Sequence, residues 1–447
     1  MNCRLFLLRI LFSVALCAPP SCAQQNSPGS QQKISKDERE RARDMLSAIA
    51  NDVKKHYYDP NFHGVDWGGV THATEQAIDN SANLNRALSE IAAGLDKLDD
   101  SHTFFLPPAR PYTHDFGWQL RMVGDHCFVL RVRPQSDAES KGIRPGDEVL
   151  ALNGFQPTRQ SLPKMMYVFN LLRPQPGLHV SALSPEGTAR QIDVMAAMRD
   201  RKKVVNLTAS GNSDIWDVVR EYEREEHLGR ARAAEAGPDV MILKFPGFHF
   251  SDGEVADMIN KARKHKALVL DLRGNPGGSV DTLKALLGEV LDHTVKIGDR
   301  VTRDGSKPLE AKSRGHNAFT GKLVVLVDSQ SASAAEIFAR EMQLEKRAIV
   351  LGDKTAGAVM EAKRYSYKLG SDTVIFYGAS ITDADIIMSD GKSLEHVGVT
   401  PDEIILPKAA DLAAGTDPVM VRAVELCGAS ITPQAAGAFF PYEWPPL

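Results

Sequence analysis

Three serines crowd the stretch "DSQSASAAEIFAREM", residues 328–342, which follows the apolar run "GKLVVLVD". The run reads as a strand and the stretch as the start of a helix, so the serines sit at a strand-to-helix junction. Ser333 and Glu336 fit a capping box, in which a hydroxyl and a carboxylate satisfy free N–H groups at a helix start. A nucleophile at the same place needs more: a base for the hydroxyl proton and donors for a developing oxyanion. The N–H of Ala334, at the helix N-terminus, is one such donor. A second comes from "DLRGNPGG", residues 271–278, directly after the apolar "ALVL". Glycine permits close backbone approach and positive φ, so the N–H of Gly277 or Gly278 can face an anion, although a tight turn has the same composition. In open α/β sheets such groups collect at the C-terminal ends of strands.

The elements that must position these groups follow from periodicity. From residue 237 strand and helix patterns alternate: "DVMILKF" before "SDGEVADMINKARKH", "ALVLDLRG" before "SVDTLKALLGEVLD", "KLVVLVD" before "SAAEIFAREMQ", then "RAIVLGD". Such alternation predicts crossover connections and a mostly parallel sheet, here an α/β catalytic domain over 237–410. Residues 37–112 read as helical, with Met45, Ile49 and Val53 on one face and Leu84, Leu88, Ile91 and Leu95 on another. Residues 113–200 change to short β-type runs punctuated by Gly142, Gly146 and Gly154. A charged connector spans 201–236 and a tail 411–447. The expected fold is therefore multidomain α/β.

With 447 residues the chain exceeds one core. Its formal net charge is −4, and it carries no basic block of the kind that binds nucleic acid. The start, "MNCRLFLLRILFSVALCAPPSCAQQ", has the layout of a secretory signal peptide over 1–23, with cleavage near Ala23 and a polar leader over 24–36. This predicts an exported protein, periplasmic or extracellular, with no transmembrane anchor in the mature chain. Removal leaves Cys127 and Cys427, too few for a disulfide framework; they could pair or stay as buried thiols. No CxxC or HExxH spacing occurs, so no metal is expected.

Two resemblances sharpen this. "AESKGIRPGDEVLALNG", residues 138–154, resembles a PDZ domain. The resemblance implies a module over 113–200 that receives a polypeptide C-terminus as an added strand, its carboxylate loop around Phe116, Gly117, Trp118 and Gln119. A small β domain without a working groove would share the pattern. "LDDSHTFFLPP", "ALVLDLRGNPGG", "DSQSASAAEIFAREMQ", "RAIVLGDKTAGA" and "EHVGVTPD", in that order, resemble the S41 family of serine peptidases. That implies a catalytic domain of ClpP/crotonase type, with Ser333 as the nucleophile, polypeptides as substrates and no cofactor.

The family divides over the base. One branch pairs the serine with a lysine in a G-E-K-T-x-G-K-G-x-x-Q segment. Here the segment is "GDKTAGAVMEA": Ala358 holds the lysine position, Ala362 the glutamine position, and Lys354 matches a lysine that is not the base. The tricorn-like branch uses a histidine, the serine before it and a glutamate. That resemblance implies His102 as base, with Ser101 and Glu395 orienting it; His396 falls on no motif position. A nearby carboxylate is expected to raise the imidazole pKa. Two other readings remain: a lapsed PDZ scaffold, and a carrier of apolar ligands like the retinoid-binding member of the family. Homo-oligomerisation is left open.

Overall fold

The computed structural model describes residues 33–200, 229–370 and 374–444. The expected signal peptide, most of the leader and most of the connector lie outside these residues.

The N-terminal helices form as their sequence dictates. Helix α1 (Lys36–His56) starts at Ser35, which accepts the Glu38 N–H while Glu38 accepts that of Ser35. Met45, Ile49 and Val53 are buried on its inner face. Helices α2 (Trp67–Asp79) and α3 (Leu84–Leu95) complete the layer, α3 burying Leu88, Ile91 and Leu95. This core is not self-contained, because it includes Phe105, Tyr377, Ala379 and Ile381. Strand β1 (Phe104–Leu106) pairs antiparallel with the long strand Ile375–Met388, Phe105 opposite Ala379. The chain segment just before β1, which carries Ser101 and His102, is thereby fixed to the following domain.

Residues 112–200 form an antiparallel β unit. Its two ends pair with each other, β2 (Tyr112–Asp115) with the strand Ala197–Asp200. Between them, β3 (Trp118–Val123), β4 (His126–Val132), β5 (Glu148–Leu152), β6 (Gly177–Leu183) and β7 (Ala189–Met195) lie in sequence order, leaving β3 at an edge. The strand Ala197–Asp200 is β8. Phe116, Trp118, Met122, Val129, Val149 and Phe169 are among the buried core of this unit.

The third unit is a six-stranded sheet. β9 (Arg232–Glu235) runs antiparallel to β10 (Val240–Lys244); β11 (Ala267–Asp271), β14 (Lys322–Val327), β15 (Ile349–Gly352) and the short β18 (Glu403–Ile404) extend it in parallel. β11 is buried along its whole length and β14 from Leu323 onward, as required of strands covered on both faces. Alternate residues feed two cores: Leu268, Leu270, Val325 and Val327 face one, Val269, Val324 and Leu326 the other. A second, antiparallel sheet places β12 (Val295–Thr302) between β13 (Gly305–Ala311) and β17 (Ile375–Met388), with β16 (Met360–Leu369) also on β17.

Several connections join the β unit to the sheet domain, among them the Gly124 N–H donating to Asp353 at 2.9 Å and Arg159 donating to Asp353 at 2.6 Å and to the Lys354 carbonyl at 2.9 Å. From β3, Arg121 pairs with Asp328 at 2.7 Å and the Met122 carbonyl accepts from the Ser329 hydroxyl at 2.5 Å. Near the C-terminus, Phe439 and Phe440 pack on one sheet core, Arg232 donates to the Pro441 carbonyl at 2.8 Å, and the guanidinium groups of Arg131 and Arg133 lie over the rings of Tyr442 and Trp444 at 5.0 and 4.7 Å. Cys127 is buried in the β unit, Cys427 is half-buried beside the sheet, and both are free thiols.

Candidate active site

The three serines at the end of β14 have different hydrogen-bonding roles. The Ser329 hydroxyl donates to Met122, and that of the fully buried Ser331 to the Leu272 carbonyl at 2.9 Å. Ser333 precedes the helix Ala334–Leu344, and its hydroxyl makes no side-chain cap bond. Only the Glu336 half of the cap is used, the Ser333 N–H donating to Glu336 Oε2 at 3.0 Å. The Ser333 backbone sits at φ 54°, ψ −121°. Such a conformation costs a side-chain-bearing residue about 1–3 kcal/mol and persists only where its surroundings impose it. A serine needed merely as a cap would take the relaxed extended backbone seen at Ser35 and Ser251.

The glycine loop lies against this turn. A Cβ added to Gly277 would fall 2.6 Å from Ser333 Cβ and 2.9 Å from the Ala334 nitrogen, so only glycine fits. Asn275, fully buried, holds the loop: its amide donates to the Phe245 carbonyl at 2.8 Å, its Oδ1 accepts the Gly277 N–H at 2.8 Å, and its carbonyl accepts the Ala332 N–H at 2.9 Å. The two glycines therefore differ. The Gly277 N–H is occupied by Asn275 and is removed as an oxyanion donor. Among the described residues, the N–H groups of Gly278 and Ala334 have no acceptor.

A second cluster forms around His102. Its Nδ1 lies 2.7 Å from Ser101 Oγ, and that hydroxyl donates to Glu395 Oε2 at 2.9 Å. The Ser101 N–H donates to Glu395 Oε1 at 2.7 Å, and the Val359 N–H to Oε2 at 2.7 Å. An ionised Glu395 can only accept, so Ser101 must donate to it, and Nδ1 of His102 must then carry the imidazole proton. That leaves Nε2 with a lone pair. Asp100 fixes the loop itself, its Oδ1 accepting from the His102 and Thr103 N–H groups and from the Thr382 hydroxyl of β17 at 2.9, 2.6 and 2.7 Å. Among the described residues no hydrogen bond joins His102 directly to Ser333.

Residues 239–405 match the profile of peptidase family S41, and residues 38–91 that of the tricorn protease C1 domain. The chain carries an S41 peptidase domain. It is 24% identical over 375 residues to carboxyl-terminal-processing peptidase 3, chloroplastic, of Arabidopsis thaliana, covering 78% of this chain but only 66% of that one. It is also 24% identical over 393 residues to a carboxyl-terminal-processing protease of Synechocystis, covering 83% and 82%. The solved structure of mature CPAF superposes with a TM-score of 0.63 at 16% identity, over 85% of this chain and 95% of that one, which shows a shared fold.

At the candidate site the electrostatics depart from the sequence expectation at one point. The pKa of His102 is lowered, not raised: burial penalises the imidazolium, and the attraction of Asp100 does not offset it. Glu395 reaches the ring only through the Ser101 hydroxyl. Burial likewise raises the Glu395 pKa, against the bonds it accepts from Ser101 and Val359. His396 serves the scaffold, its Nε2 donating to the Asp99 carbonyl at 2.8 Å.

The loop expected to hold a peptide carboxylate has its larger side chains turned inward. Phe116 and Trp118 are 4% and 8% exposed and belong to the β-unit core. The Gly117 N–H donates to Asp115 at 2.8 Å, and Gln119 accepts from Arg131 at 3.0 Å. A carboxylate at such a loop is received by backbone N–H groups, so the side chains of Phe116 and Trp118 have only a packing role there.

Three further residues shape the site without having been singled out for it: Asp100, Asn275 and, beyond its capping role, Glu336. The first two follow an Asx-turn logic, a short carboxylate or amide folding back on nearby N–H groups, which the strings "DDSHT" and "GNPGG" permit but do not require.

Proposed function

We propose that the chain is a serine endopeptidase acting on polypeptides. Ser333 Oγ attacks the scissile carbonyl as His102 Nε2 takes its proton. Ser101 and Glu395 hold the imidazole with Nδ1 protonated and stabilise the imidazolium. The N–H groups of Ala334 and Gly278 receive the oxyanion. His102 then returns the proton to the leaving amine, and water resolves the acyl-enzyme by the same steps. The observation that carries this reading is the hydrogen-bonded chain from Glu395 through Ser101 to His102. A scaffold has no use for an imidazole whose tautomer is set and whose Nε2, among the described residues, is left free, and an apolar-ligand carrier needs no strained serine tied to the same Ala358–Val359 stretch as Glu395. His102 and Ser333 must close to hydrogen-bonding range when substrate binds, as catalytic contacts commonly do.

The β unit is assigned the role of receiving a substrate C-terminus, in keeping with the names of the carboxyl-terminal-processing relatives. Support comes from β3, an edge strand whose first half can accept an added strand while Arg121 and Met122 in its second half touch Asp328 and Ser329. Export by the N-terminal segment belongs to the same reading; among the described residues no helix is long and apolar enough to cross a membrane.

The test uses an unstructured protein such as casein together with a fluorophosphonate probe. The wild-type chain should hydrolyse the casein and label covalently, and Ser333→Ala should do neither while unfolding at a similar temperature. Turnover or labelling that survives the substitution would remove Ser333 from the mechanism. A chain that binds peptides but neither cleaves nor labels would be the scaffold.

A further inference from the structure

Glu336 lies in the first turn of the Ala334–Leu344 helix, is wholly inaccessible to solvent, and has both carboxylate oxygens engaged. Oε1 accepts from the Thr355 hydroxyl at 2.5 Å and the Gly357 N–H at 2.7 Å. Oε2 accepts from the Ala358 N–H at 2.9 Å and the Ser333 N–H at 3.0 Å. Four donors on one buried carboxylate exceed what a helix cap requires, since a cap satisfies one or two N–H groups of its own helix. Three of the four come from another segment, Thr355–Ala358. That segment returns a bond, the Ala358 carbonyl accepting the Ser333 N–H at 2.9 Å. The next N–H along the chain, that of Val359, is held by Glu395.

We propose that Glu336 is a positioning residue for the peptidase reaction, fixing the strained backbone of Ser333 to the Thr355–Val359 segment and, through Val359 and Glu395, to the Ser101–His102 relay. The assignment rests on the peptidase reading above. In the lysine branch the same segment presents its base from the position held here by Ala358. In this chain its backbone acts as the spacer between nucleophile and base: Glu336 grips one end and Glu395 the other. No part of Glu336 reaches the substrate. Its effect is on the distance and direction between Ser333 Oγ and His102 Nε2. Thr355 extends the grip, its hydroxyl also accepting the Val399 N–H at 2.6 Å from the loop that follows Glu395.

The experiment compares wild type, Glu336→Gln, Thr355→Val and Ser333→Ala in peptide hydrolysis and in the rate of fluorophosphonate labelling, with circular dichroism and thermal melting as controls for fold. A glutamine keeps the volume but turns an NH2 group toward at least one pair of donors. The expected result is a fall in kcat of about 100-fold, the scale of a misplacement near 1 Å. KM should change little, labelling should slow in parallel, and the acid limb of the pH profile should stay at the wild-type pH, because the proton path is untouched. Thr355→Val, which removes one donor and leaves the carboxylate, should show a smaller fall in kcat with the same signature, and it decides the matter if Glu336→Gln does not fold. A folded Glu336→Gln chain with wild-type kcat, or a loss confined to KM, would overturn the assignment. So would wild-type kcat in Thr355→Val where Glu336→Gln is unfolded. A wild type whose turnover matches that of Ser333→Ala would instead overturn the peptidase reading, and this assignment with it.

Discussion

The N–H groups of Ala358 and Val359, adjacent in the chain, are held by different carboxylates: Ala358 by Glu336 at 2.9 Å and Val359 by Glu395 at 2.7 Å. Glu336 belongs to the nucleophile's helix, Glu395 to the relay behind His102. The two halves of the proposed site are therefore tied to consecutive peptide units, on either side of the Ala358 Cα, and disturbance on either side reaches the other.

The relay half can be probed at Ser101. Ser101→Ala removes the hydroxyl between His102 Nδ1 and Glu395 but keeps the Ser101 N–H that anchors Glu395. A water molecule can occupy part of the vacated position. Turnover should fall by about 100-fold, less than the ~10⁴-fold loss known for a triad whose acidic residue no longer sets the tautomer. Steady-state kinetics on a peptide substrate checks this, and an unchanged kcat would show that Ser101 is only a turn residue.

The oxyanion half can be probed at Gly278. Its φ is 143°, and an added Cβ would lie 2.2 Å from the Phe248 carbonyl oxygen. Gly278→Ala must therefore shift the loop and misdirect its N–H. Loss of one oxyanion donor costs about 10²–10³ in kcat. The strain should lower stability by about 1–3 kcal/mol, read from chemical denaturation. An alanine variant with full activity would place the oxyanion elsewhere.

Much of this was legible in the sequence, for reasons that differ residue by residue. β11 and β14 are buried on both faces and so read as unbroken apolar runs. Met45, Ile49 and Val53 face one core and so repeat at helical spacing. Ser333 was legible as a junction residue, but S-x-x-E describes a relaxed cap and a strained nucleophile turn equally; the difference lies in a backbone φ of 54°. Gly277 and Gly278 look alike in "GNPGG", and what separates them is the side chain of Asn275. The resemblance names Phe116 and Trp118 as loop residues but does not encode that their side chains turn into the β-unit core. The direction of the His102 shift depends on burial, which a local string does not encode.

The choice of base sets His102 against Lys354. Lys354 is exposed, whereas a lysine base must be buried for its pKa to fall from about 10.4 toward neutrality. His102→Ala should remove about 10²–10⁴ of turnover through loss of general base catalysis, and Lys354→Ala should leave most of it. The opposite pattern would mean that this chain uses a shifted serine–lysine pair.

Tyr442 and Trp444 bridge the β unit to the sheet domain by lying under Arg131 and Arg133. Each such contact contributes about 0.5–2 kcal/mol, more where water is excluded. The double substitution Tyr442→Ala, Trp444→Ala should lower the melting temperature and increase protease sensitivity between the two units. Unchanged melting and digestion patterns would show that the segment merely rests there.

The pH dependence follows from the lowered pKa of His102. The base must be neutral to accept the Ser333 proton. Burial keeps it neutral to more acidic pH than a free imidazole, whose pKa is about 6.5, so the acid limb of kcat/KM should fall below that value. A carboxylate in direct contact would have moved the limb the other way. The same shift bears on folding. Below about pH 6.5 the unfolded chain binds a proton at this residue that the folded chain does not, so folding stability falls with pH down to the lowered folded-state value. Above that window both states are neutral, and the contribution is constant. The two effects share one cause and should share one group: in His102→Ala the residual activity should lose its acid limb, and the acid-side slope of stability should flatten. An acid limb above pH ~7 in the wild type would mean that the imidazole is stabilised as a cation. The carboxylate behind Ser101 would then govern it more strongly than its burial does.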